Sequence, residues 1–190
     1  MLRVTDVVKH LIGINVIVFI AVNLLPFPGI RQYFVLYHPS SDAFRPIQLF
    51  THMFMHGGVQ HIFFNMLMLY FLGPQVERHL GEKKFLLLYI FSGIGALLVH
   101  LLLVPYGSMV GASGAIYGVM AGFAFLFPNT QLMLLFPPIP VKAKYLVVGI
   151  IAIDLFSGIS ATQSGIAHFA HLGGAIFGVL LLLFWRKFGK

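Results

Sequence analysis

Apolar residues in this chain gather into six long runs, separated by segments that hold most of its charge and all of its proline. The runs fall at roughly 8–25, 58–73, 83–104, 113–127, 142–158 and 167–185. Each is close to, or a little short of, the ~20 residues a helix needs to cross a bilayer. The pattern predicts an all-α integral membrane protein of six transmembrane helices, with residues 1–190 forming one domain. No soluble domain, low-complexity tract or repeat is evident. The longest connection, about 26–57, carries Phe27, Tyr33, Phe34, Tyr37, Phe44, Phe50 and Phe54 with only three charges. Such a loop is expected to lie partly in the membrane interface, where aromatic rings are favoured. Phe136-Pro137-Pro138-Ile139-Pro140 reads as a stiffened turn, and Gly107 and Ser108 after Pro105-Tyr106 mark the loop before the fourth run. Pro26, Phe27 and Pro28 follow the first run in place of a small-residue cleavage site, so no cleaved signal peptide is expected.

Composition agrees with this pattern. Apolar residues make up 59% of the chain and charged residues 9%, with a mean hydropathy of +0.94. A soluble surface needs more charge than that. The formal charge of +7 would suggest nucleic acid, but the basic residues sit in short loops, where membrane orientation accounts for them. With the N-terminus inside, Arg3, Lys9, Arg78, Lys83, Lys84, Lys142, Lys144, Arg186, Lys187 and Lys190 are all cytoplasmic. That is ten basic residues against two outside, Arg31 and Arg45. This bias predicts a multi-pass membrane protein with cytoplasmic N and C termini. The absence of cysteine excludes disulfides, thiolate metal sites and cysteine nucleophiles.

Polar side chains inside a membrane are costly and need a reason. At ~1.5 Å per residue, His61 comes ~5 Å and Asn65 ~10 Å into the second run from the outer side, and His171 ~6 Å into the sixth. A fourth helix starting at Ser113 holds about fifteen residues and is ~22 Å long. It is therefore shorter than the ~30 Å hydrocarbon core, and its start lies below the outer surface. The loop before it must dip into a wet or protein-walled cavity. Polar groups from three runs thus share one depth.

Ser113 lies in Gly111-Ala112-Ser113-Gly114-Ala115-Ile116-Tyr117-Gly118. One reading is a small-residue packing face, since Gly114, Gly118 and Gly122 recur every fourth residue. The other is a nucleophile at a helix start, with His171 as its base. His61 and Asn65, on one helix face, can join the Ser113 backbone N–H in holding an oxyanion. Tyr117 lies one turn along from Ser113 and can support the imidazole. Gly114 and Gly118 facing Gly174 and Gly178 would let the fourth and sixth helices approach closely.

Gly111-Ala112-Ser113-Gly114, His61-Ile62-Phe63-Phe64-Asn65 and Ala170-His171-Leu172-Gly173-Gly174 together resemble the rhomboid intramembrane serine proteases. The likeness extends to Gln48 through Gly58 and to Glu77-Arg78-His79-Leu80-Gly81, and so covers nearly the whole chain. It implies a Ser113/His171 dyad, His61 and Asn65 as oxyanion donors, and lateral entry of a transmembrane substrate. Its partners are then single-span or multi-span membrane protein substrates and the lipid bilayer, with no nucleic acid and no cofactor or metal. One departure lies in the first outer loop. There Phe44-Arg45 is the nearest match to a Trp-Arg pair that many relatives carry.

The remaining polar residues are read as structural. His52 and His56 are spaced for one helix face, but no cysteine or carboxylate completes a zinc set. Asp154, near the outer end of the fifth run, is tempting as a third triad member, but it is read as a structural hydrogen-bond acceptor, because the resemblance implies a two-residue machine. His168 fits a polar rim, and His10 and His100 the interfaces. Two other functions compete: a catalytically silent rhomboid-like factor that binds membrane proteins, and a small transporter. Silent relatives usually lack the serine or the histidine. A transporter would show inverted repeats and coupling carboxylates, neither of which is evident.

Overall fold

In the computed structural model, which describes residues 3–25, 27–104, 107–134, 137–160 and 165–189, the six apolar runs are helices. They are α1 (Asp6–Asn23), α3 (Val59–Leu80), α4 (Glu82–Leu103), α5 (Ser113–Leu126), α6 (Ala143–Ser160) and α7 (Gly165–Phe188). A short helix α2 (Gln48–Thr51) lies in the long first loop and runs into a 3₁₀ turn at His52–Phe54, while another 3₁₀ turn, Ile30–Tyr33, lies earlier in the loop. Pro26, Pro105, Tyr106, Phe136 and Lys190 lie outside the described residues. Among the described residues, three helices are long and apolar enough to cross a membrane: Asp6–Asn23, Glu82–Leu103 and His168–Phe188. The 14-residue α5 is too short by that measure. The end of α3 is polar, with Glu77, Arg78 and His79.

Helix α5 is the centre of the bundle, packed by α3, α4, α6 and α7. None of its large apolar side chains is exposed, whereas the surrounding helices turn Ile17, Phe63, Leu102, Ile153 and Phe184 outward. An apolar exterior on so many helices suits lipid, not water. Small residues allow the central packing. A Cβ on Gly174 of α7 would collide with the Gly114 carbonyl of α5, and one on Gly178 would lie 2.9 Å from the Gly118 Cα. On the other side of α5, a Cβ on Gly114 would meet Ala96 of α4. Backbones come this close only where side chains are absent.

The run at 58–73 continues as helix past Gly73 and Pro74 to Leu80. The extension puts the buried Glu77 carboxylate against the start of α1. It accepts hydrogen bonds from the Thr5 hydroxyl, from the Val7 N–H at 3.1 Å and from the Val8 N–H at 2.9 Å. These are N–H groups that a helix start cannot satisfy itself, and a negative charge suits the positive end of the helix dipole.

Two short antiparallel strand pairs were not foreseen from the sequence. Strand β1 (Leu36–Tyr37) pairs antiparallel with β2 (Ser108–Met109), joining Leu36 to Met109. Strand β3 (Gln131–Met133) pairs with β4 (Pro140–Lys142) across the proline-rich turn. The first pair fastens the long loop to the segment that leads into Ser113.

Candidate active site

The segment before Ser113 is held by a buried polar chain. Gln48, fully buried, donates from Nε2 to the Gln32 carbonyl at 2.7 Å and the Ala43 carbonyl at 2.9 Å. Its Oε1 accepts from the Tyr37 N–H at 3.3 Å. One turn later the His52 ring donates from Nδ1 to the Gln48 carbonyl at 2.7 Å. The His52 carbonyl accepts from the Gly111 N–H at 2.9 Å. The loop thus fixes Gly111 two residues before the serine. Burial lowers the His52 and His56 imidazoles to about 4, so both are neutral at physiological pH. His56 packs edge-on against His61, with ring centres 4.9 Å apart.

Gly111 has φ +126°, a conformation that L side chains rarely adopt. A Cβ there would lie 2.9 Å from His61 Nε2 and 3.5 Å from Ser113 Oγ. The missing side chain therefore leaves open the space between the serine hydroxyl and the His61 ring. Ser113 is the first residue of α5, whose first-turn N–H groups have no intrahelical acceptor. His61 and Asn65 follow one another on the first turns of α3, where Asn65 Nδ2 donates to the His61 carbonyl at 2.8 Å. An amide has two N–H groups, so one remains for a ligand.

Across from α3, His171 of α7 brings Nε2 to 2.7 Å from Ser113 Oγ. The Tyr117 ring lies parallel to the imidazole, with centres 4.2 Å apart and 11° between planes. A cavity of about 500 Å³ opens onto Ser113, His171, His61, Asn65 and Tyr117, and is walled by apolar side chains such as Phe64, Met68 and Ile150. Ser113, His171, His61, Asn65 and Tyr117, which sequence reasoning singled out for chemistry, therefore share one cavity, with Gly111 against the His61 ring and Gly114 in the α5–α7 contact. Asp154 has a larger place than the sequence reading gave it. Its carboxylate receives His171 Nδ1 at 2.8 Å on one oxygen and His168 Nδ1 at 2.6 Å on the other.

A serine hydroxyl with an imidazole 2.7 Å away, on one cavity with His61 and Asn65, is an arrangement that can serve attack on a carbonyl. The sequence model of the Rhomboid domain matches residues 43–188, which contain all of these groups. The chain belongs to the rhomboid family. It is similar to the mitochondrial Rhomboid protein 1 of Saccharomyces cerevisiae, 31% identical over 185 residues, covering 92% of this chain and 52% of that protein. It is similar to Rhomboid protease AarA of Providencia stuartii, 34% identical over 151 residues, covering 68% of this chain and 52% of that one. Rhomboid protease GluP of Bacillus subtilis is 33% identical over 132 residues, covering 69% of this chain and 24% of GluP. The chain thus spans about half the length of the first two rhomboid relatives and about a quarter of the third.

Proposed function

We propose that this rhomboid family member is a serine endopeptidase that cleaves transmembrane segments of other membrane proteins. The observation that carries the reading is the 2.7 Å contact between His171 Nε2 and Ser113 Oγ at the start of α5. In this reading His171 removes the hydroxyl proton as Ser113 attacks the scissile carbonyl. The oxyanion is held by the Ser113 backbone N–H, His61 and Asn65. His171 returns the proton to the leaving amine. Water, activated by the same imidazole, then hydrolyses the acyl-enzyme. Gly111 keeps the oxyanion position open, and Tyr117 holds the imidazole face. The proposed setting is one domain over residues 1–190, with six spans and both termini cytoplasmic, in the cytoplasmic membrane of a prokaryote. The positive-inside bias and the apolar outer faces of the helices support it.

The relatives named as rhomboid proteases support the activity, and so does the presence of both serine and histidine here. The test uses purified protein in detergent with a single-span reporter. Wild type is expected to cut it, while Ser113→Ala and His171→Ala each abolish cutting and stay folded. Groups that act as a unit are non-additive, so the double variant should be no worse than either single one. Full activity in Ser113→Ala would end the protease reading.

A further inference from the structure

A carboxylate on a membrane helix needs a partner, and Asp154 on α6 meets two imidazoles. The side chains of Asp154, His168 and His171 are only 16%, 17% and 15% exposed. Each carboxylate oxygen takes one imidazole, and both contacts are made at Nδ1. A structural clasp between α6 and α7 would be complete with His168 alone. The second oxygen reaches instead the ring that touches Ser113. An ionised carboxylate can only accept, so the proton of neutral His171 must sit on Nδ1. Nε2 is then bare and faces the Ser113 hydroxyl at 2.7 Å, the tautomer that a general base requires.

Local packing keeps this geometry in place. Gly158, one turn along α6 from Asp154, stands against His168. A Cβ there would lie 2.6 Å from the His168 Cβ and 2.8 Å from its Cγ. The missing side chain lets α6 come close enough for the carboxylate to meet both rings. His171 is also fixed from the side by the Tyr117 ring. Its orientation is thus set at the Nδ1 edge and on one face, while its Nε2 edge meets the nucleophile.

We propose that Asp154 is a positioning residue that completes a Ser113–His171–Asp154 line, with His168 holding the carboxylate's other oxygen. The proposal rests on the protease reading above. As Ser113 Oγ bonds to the carbonyl carbon, its proton passes to His171 Nε2. The imidazolium then has the Asp154 charge 2.8 Å from its Nδ1. Asp154 itself takes no proton, and His171 gives its Nε2 proton to the departing amine.

The test compares wild type with Asp154→Asn and Asp154→Ala in detergent. Two readouts are used: the rate at which a fluorophosphonate probe modifies Ser113, and kcat and KM on a single-span reporter. Asparagine keeps the volume and one acceptor, which is enough for a clasp but not for both rings. Asp154→Asn is expected to slow modification and lower kcat by roughly 10²-fold with KM unchanged, the scale of general-base assistance. Added formate should restore part of the rate in Asp154→Ala. A measurement without any variant uses ¹⁵N-histidine resonance of the wild type, with His171 assigned by its loss in His171→Ala. It should find the neutral ring protonated at Nδ1. Modification of Asp154→Asn within twofold of the wild-type rate, or a His171 proton on Nε2, overturns this proposal and leaves the protease reading intact. A wild-type chain whose Ser113 never reacts overturns both.

Discussion

At the scale of single residues, the question is what each polar group adds to a site that must work beside lipid. Asn65 spends one amide hydrogen on its own helix and has one left for the cavity. If that hydrogen meets the oxyanion, Asn65→Ala should lower turnover by on the order of 10²-fold with little change in substrate affinity. Steady-state kinetics on the single-span reporter separate the two. Lowered affinity with unchanged turnover would make Asn65 a binding residue. The candidate site was legible in the sequence because apolar runs make every polar residue conspicuous. Ser113, His171, His61 and Asn65 stand out by cost alone, and the depth expected from helix rise links them. Asp154 was legible only as a candidate third member, and its paired contacts to His168 and His171 were not legible. They depend on the rotation of α6 against α7, which is set by the Gly158–His168 contact between residues that are not neighbours in the chain.

Among the elements, helices were read almost to their limits, because their length is set by the bilayer and their faces by lipid. The exceptions have local causes. Helix α3 passes through Gly73-Pro74, which reads as a stop. The turn it adds carries Glu77 to the start of α1, where the carboxylate satisfies N–H groups that would otherwise be buried unpaired. The β1–β2 pair joins distant segments and has no periodicity to announce it. The helical turn at Gln48–Phe54 was equally hidden, although its function in the fold is large: it holds Gly111 through the His52 carbonyl. This element should make the fold sensitive to acid. Burial lowers His52 and His56 from 6.5 to about 4. Above pH 6.5 both rings are neutral, folded or unfolded. Between about 6.5 and 4 the unfolded chain takes up protons that the folded one refuses, so stability should fall as pH falls through that window. Thermal unfolding in detergent should show a lower midpoint at pH 5 than at pH 7. A His52→Gln/His56→Gln variant should have a weaker pH dependence. An equal slope in the variant and wild type would remove these two rings as the cause.

For the whole molecule, the central fact is that the shortest of its six bundle helices is also the most enclosed. At 14 residues, α5 is ~21 Å long, against a core of ~30 Å. Surrounded by longer helices, it is too short to reach both surfaces of a bilayer, so in the proposed six-span setting one of its ends lies inside the membrane. The end that carries Ser113 is also the end where the long loop, β1–β2 and the polar cavity gather. That loop has no Lys, and its two arginines are the whole basic content assigned to the outer side. The proposed orientation therefore sinks Ser113 below the outer surface in a cavity wetted from outside, where His61, Asn65 and His171 can hold water. A stable substrate helix protects its peptide bonds with its own hydrogen bonds. Sequences cut here should therefore carry helix-weakening Gly or Pro near the cleaved bond. Orientation and depth can be read together with a single cysteine at position 113, since the chain has no other. In right-side-out vesicles a membrane-impermeant maleimide added outside should label Ser113→Cys. In inverted vesicles the same reagent should fail until detergent opens the bilayer. Labelling only in the inverted vesicles would reverse the topology and close the cavity to the outside.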